Sequence, residues 1–188
     1  MRQFALLTMG FLIAVLGTGC GEKTTADLSE KGDVSALTKQ MSNTTWSATR
    51  RDTAIALGKA ASNTKSSKKV AEAIKTLTET LEDHSWEVRV EAARSLAQIG
   101  QAVDDPGVVK QIIQTLTDTL DDKSDRVGML TALELFALGT ANGDETARRA
   151  SIQKLVAVKN NSSDPYVPAA AAERLEKLDA PELKAEFE

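Results

Sequence analysis

The chain has 188 residues, 41% hydrophobic and 27% charged, a balance that supports a buried core and excludes a disordered polyelectrolyte. Aromatic residues make up only 4%, which suits closely packed helices better than a β-sandwich. The formal net charge of −4 excludes the basic footprint of a general nucleic-acid binder and disfavours acidic partners.

From the N-terminus, Arg2 supplies a positive charge and no charged residue follows until after Gly19. Phe4, Leu6, Leu7, Phe11, Leu12, Ile13, Val15 and Leu16 make this run apolar, yet it is shorter than the ~20 residues a spanning helix needs. It ends in small residues, so residues 1–19 read as an export signal. Cys20 is the only cysteine, which leaves no partner for a disulfide. Residues 20–32 hold Leu28 as their only large apolar side chain and read as a polar tether.

From Asp33 onward the apolar residues take helical spacing. Asp33 caps a first helix near residues 33–42, with Val34, Leu37 and Met41 on one face. A second, through Ala61, offers Trp46, Ala54, Ile55, Leu57 and Ala61 to a core, and residues 62–68 form a polar loop. Val70, Ala73, Ile74, Leu77 and Leu81 define the clearest amphipathic helix. Ser85 caps the next, whose stripe is Val88, Ala92, Leu96 and Ile99, and Gly100 is expected to end it in a left-handed conformation.

Thr76-Leu77-Thr78-Glu79-Thr80-Leu81-Glu82-Asp83 then returns as Thr115-Leu116-Thr117-Asp118-Thr119-Leu120-Asp121-Asp122, 39 residues later. A fixed period of this length marks a repeat array. Asp105-Pro106 is a cap followed by a proline at the first helical position; the helix it opens buries Val109, Ile112, Ile113, Leu116 and Leu120. Ser124 caps the partner helix, with Gly139 expected at its end. A last pair occupies residues near 145–159 and 165–178, the second again opened by a capping aspartate and proline, Asp164-Pro165. The repeat region spans 33–180, and 181–188 is a tail that is frayed or briefly helical.

The reading is all-α, an α-solenoid of about four antiparallel helix pairs. Asp83-His84-Ser85-Trp86-Glu87-Val88-Arg89, followed by Ala92, Ala93 and Leu96, resembles a HEAT repeat. Asp122 and Val127 keep that pattern with Gly128 at the arginine position, and Val167-Pro168 lacks the arginine as well. The family's proline in the first helix is replaced by Lys75 and Gln114. The resemblance implies a structural ladder between neighbouring repeats, running Arg50, Asp83, Arg89, Asp122. It also implies that the second helix of each pair lines a binding surface. Leu16-Gly17-Thr18-Gly19-Cys20 resembles a bacterial lipoprotein signal, which implies cleavage before Cys20 and lipidation of its thiol. Gly21, where an aspartate would signal inner-membrane retention, then favours the outer membrane if the host has one.

Catalytic chemistry finds little material. His84 is the only histidine, so a zinc site lacks its preferred ligands, and Asp121-Asp122-Lys123-Ser124-Asp125 lacks the glycine and glutamate of a calcium loop. No cofactor, metal or catalytic residue is expected. The departures between repeats are more informative: Met129, Leu130 and Leu133 stand where the preceding repeat has Val90, Glu91 and Arg94. They are expected either to pack between repeats, filling space beside Gly128 and the alanine-rich last helix, or to form an apolar protein-binding patch edged by Arg51, Asp52, Glu91 and Arg94. The expected function is a lipid-anchored, monomeric scaffold that binds a protein partner at the cell envelope, the alternatives being an accessory factor or enzyme resembling HEAT-like lyases, or a purely structural envelope protein.

Overall fold

The computed structural model describes residues 24–187, and within them all regular structure is helical. The helices are α1 Thr25–Glu30, α2 Val34–Asn43, α3 Ser47–Ser62, α4 Ser67–Thr80, α5 Trp86–Ala102, α6 Pro106–Thr119, α7 Asp125–Asn142, α8 Glu145–Asn161, α9 Val167–Lys177 and α10 Pro181–Phe187. Four antiparallel pairs result: α2/α3, α4/α5, α6/α7 and α8/α9. The second helices α3, α5 and α7 pack on one another in sequence, and α7, α8 and α9 continue the stack. The expected signal segment 1–19 and Cys20 lie outside the described residues.

The periodicity explains the core. Leu37, Leu57, Leu77, Leu96, Ile99, Ile112, Leu116, Leu135, Leu138, Ile152 and Leu155 are all fully buried, and they come from both helices of every pair up to α8. No single pair can cover these side chains by itself, so stacking supplies the stability. Caps fix the helix starts: Asp33 accepts the Ala36 N–H at 3.2 Å, and Asp105 accepts those of Gly107 and Val108 at 2.8 and 3.3 Å ahead of Pro106.

Several sequence expectations change. Residues 24–32, expected within the tether, carry α1: Thr24 and Asp27 form a reciprocal capping box, and Leu28 is buried under the first pair. Trp46 is 77% exposed and Ile55 44%, because the inward face of α3 is built from Thr53, Ala54, Ala56, Leu57, Gly58, Ala60 and Ala61. These small residues allow close approach; a Cβ on Gly58 would sit 2.6 Å from the Ser95 Cβ, and the Ser95 hydroxyl donates to the Ala54 carbonyl at 2.9 Å. Gly100 and Gly139 do not end their helices. Both are buried within α5 and α7, where a Cβ would crowd the Leu138 methyls and Ala147 respectively. The left-handed residue that ends α7 is Gly143, at φ 66°.

At the far end α10 lies against α8, with Leu183 buried and Arg149 paired to Glu186. Short helices thus close both ends of the stack, as terminal repeats of a solenoid must.

Candidate functional site

Two constellations are candidates: the ionic ladder along the turns and the outer face of the second helices. At the first rung Arg50 donates twice to Asp83, Nε to Oδ2 at 2.5 Å and Nη2 to Oδ1 at 2.9 Å. At the second, Arg89 donates to Asp122 at 2.7 and 2.8 Å. Each aspartate also accepts a turn N–H, from Ser85 at 2.9 Å and from Ser124 at 2.7 Å. Each arginine reaches back to a carbonyl of its own turn, Arg50 to Thr45 and Arg89 to Asp83. The rungs therefore form one chain of charge-assisted bonds that fixes turn conformation and repeat spacing together. Ser85 and Ser124 occupy the cap positions without a side-chain cap bond, and the Ser85 hydroxyl donates to Glu87 instead.

The electrostatics follow from the geometry. Burial presses the Asp83 carboxyl upward, but the Arg50 hydrogen bonds, the Ser85 N–H and the Arg50 charge outweigh it and hold it below the usual value of 3.8. Hydrogen bonding to the aspartates raises Arg50 and Arg89.

A third rung has no counterpart in the sequence reading. Arg126 donates to Asp164 at 2.8 Å while stacking over the Trp86 ring, 4.9 Å from its centroid. Asp164 does not cap α9, which begins at Val167; its carboxylate accepts the Tyr166 N–H at 2.9 Å, as Asp83 and Asp122 do in their turns. That N–H bond and Arg126 hold the Asp164 carboxyl low. The arginine is displaced because Gly128, in the register of Arg89, admits another side chain. A Cβ there would meet the Leu120 carbonyl and Lys154 Cε, each at 2.6 Å, and Lys154 Nζ lies 3.8 Å from Asp121.

On the second-helix face, Arg94 donates to Glu91 on its own helix at 2.9 Å and to Glu134 on α7 at 3.1 Å. Burial lowers the Arg94 guanidinium, and the bonds to Glu134 and Glu91 more than reverse this. Leu130 and Leu133 lie beside this cluster, half-buried and packed against the core. Met129 is 3% exposed and belongs to the core, which corrects its assignment to the surface patch. Its counterpart one repeat earlier, Val90, is buried as well, so the position belongs to the core in both repeats and the exposed patch is smaller and more polar than the sequence suggests. Arg51 and Asp52 pair with each other on the exposed side of α3.

A further groove of about 1040 Å³ opens between α4 and α6, which barely touch, and Val70, Ile74 and Val108 line it together with Lys65, Lys75 and Asp104. Lys75 and Gln111 add polar groups to it from the two facing helices. His84 is an exposed turn residue whose carbonyl accepts from Arg89 at 3.4 Å. Among the described residues no group of three or more His, Cys, Asp or Glu side chains could hold a metal ion.

The family model for HEAT repeats matches residues 34–134, from α2 through the first half of α7, and both arginine–aspartate rungs that recur at the same spacing. The chain belongs to the HEAT-repeat family. A comparison with curated proteins yields no match. HEAT repeats form solenoids whose extended surfaces serve protein interaction and scaffolding. Beyond residue 134 the stack continues through α8 and α9 with the altered third rung, which is where the family pattern weakens.

Proposed function

We propose that this HEAT-repeat protein is a lipid-anchored scaffold of the bacterial cell envelope, held by acylated Cys20 and capturing a protein partner on the second-helix face. The observation that carries the binding half is the continuous face of α3, α5 and α7. There Ile55 is exposed, Leu130 and Leu133 are half-buried, and Arg94 joins Glu91 and Glu134 across two repeats. An arginine oriented by carboxylates beside partly covered leucines combines a fixed charge with apolar area, the composition of binding hot spots. The anchor rests on the sequence around Cys20, and Gly21 favours the outer membrane where the host has one.

The reading is tested by affinity capture on the full chain from solubilised membranes. Leu130→Glu with Leu133→Glu is a poor probe, because both leucines pack against the core and the fold would suffer. Arg94→Glu is the better probe, since its guanidinium is half exposed and surface pairs contribute only about 0–1 kcal/mol to stability. Capture of a partner retained by the wild type should fall roughly ten-fold or more, with the melting temperature nearly unchanged. Undiminished capture by Arg94→Glu contradicts this face as the binding site.

A further inference from the structure

The turns joining first to second helices, residues 44–46, 83–85, 122–124 and 162–166, lie along one edge, because the three arginine–aspartate rungs bridge each to the next. The chain contains two tryptophans and one tyrosine, and all three stand on this edge. Trp46 and Tyr166 occupy the same position, the cap residue of α3 and of α9, and are 77% and 74% exposed. Trp86 lies between them in the series, half-buried beneath Arg126.

The chain enters the fold at the same edge. Thr25 Oγ1 bonds Gln40 Oε1 at 3.1 Å in the last turn of α2, and Leu28, Gln40, Asn43, Thr45 and Trp46 line one hollow. Four peptide units separate Cys20 from Thr24, a reach of about 14 Å even when fully extended. With α1 docked on the first pair, an acyl group on Cys20 leaves the solenoid no room to stand away from the bilayer.

We infer that the turn edge is a membrane-docking surface, with Trp46 and Tyr166 in the headgroup region of the bilayer that holds the Cys20 acyl chains; this rests on the lipid-anchor reading above. Trp and Tyr combine an apolar ring with one polar tip, the property that concentrates them at membrane–water interfaces. The edge also carries Glu82, Asp121 and Asp125 alongside Lys123 and Arg126, so it does not seek anionic lipid, and a zwitterionic surface suffices.

The test uses the full lipidated chain carrying Trp86→Phe, so that Trp46 is the sole indole, reconstituted on phosphatidylcholine vesicles with brominated or ordinary acyl chains. Trp46 emission should be quenched about two-fold by the brominated lipid. An indole placed at the opposite edge by Asp104→Trp, with both native tryptophans changed to Phe, should not be quenched. Vesicle-bound protein with unquenched Trp46, or equal quenching of the two indoles, overturns the docking edge while the anchor stands. A chain that fails to float with the vesicles contradicts the anchor, and the docking edge falls with it.

Discussion

Arg89 is 2% exposed, and its two bonds to Asp122 are the most enclosed ionic contact of the ladder. Removing one partner of such a pair strands the other in a dry turn. Arg89→Ala is therefore expected to destabilise the fold by about 3–5 kcal/mol in urea denaturation, against about 0–1 kcal/mol for Arg94→Ala on the exposed face. Arg89→Lys restores the charge without the two-toothed geometry and should recover only part of the loss. Asp83 gives the ladder a pH signature. Its carboxyl titrates lower in the fold than in the unfolded chain, so its contribution is complete above the ordinary value of 3.8 and is lost as pH falls through that value toward the folded one. Denaturation midpoints should be flat near neutrality and drop below about pH 4, and Asp83→Asn should flatten that drop while lowering stability at pH 7. The first two rungs were legible through the resemblance to HEAT repeats, whose aspartate and arginine positions the chain keeps at Arg50, Asp83, Arg89 and Asp122. The third was not: the valine follows Asp164 by three positions rather than five, and Arg126 stands two positions before the expected arginine.

Among the elements, the eight helices of the four pairs and most of their core faces were readable from spacing alone, since Leu and Ile at intervals of three and four leave one face to bury. Where the reading failed, a small side chain served packing rather than conformation. Gly100 and Gly139 resemble helix ends, yet each sits where a neighbouring helix approaches. Gly58 makes the same point measurably: Gly→Ala in an exposed helix gains about 1 kcal/mol, whereas here the new methyl would meet Ser95 at 2.6 Å. Gly58→Ala should instead cost about 1–3 kcal/mol, and Ser95→Gly in the same chain should recover much of it. The helix α1 was hidden because one leucine carries its whole apolar face. Leu28→Ala is expected to cost about 2 kcal/mol or more in thermal or chemical unfolding, where a tether residue would cost nothing.

Across the whole molecule, the ladder, the turn edge and the second-helix face are three uses of one repeat. The rungs set the spacing, the turns gather the exposed aromatics on one side, and α3, α5 and α7 present a separate face, the one proposed to take a partner. The site was only half legible. Glu91, Arg94, Leu130 and Leu133 could be aligned by the 39-residue offset, but Met129 shares the burial of its counterpart Val90, which a comparison of side-chain types alone does not reveal. The proposed anchor is the premise on which the docking edge rests, because an acyl group on Cys20 stands only four peptide units from Thr24, where the described fold begins. Its most direct measurement is the intact mass of the full-length chain expressed in a bacterium and recovered from the membrane fraction. A mature chain beginning at acylated Cys20 is predicted; an unmodified chain retaining residues 1–19, recovered in the soluble fraction, would contradict it.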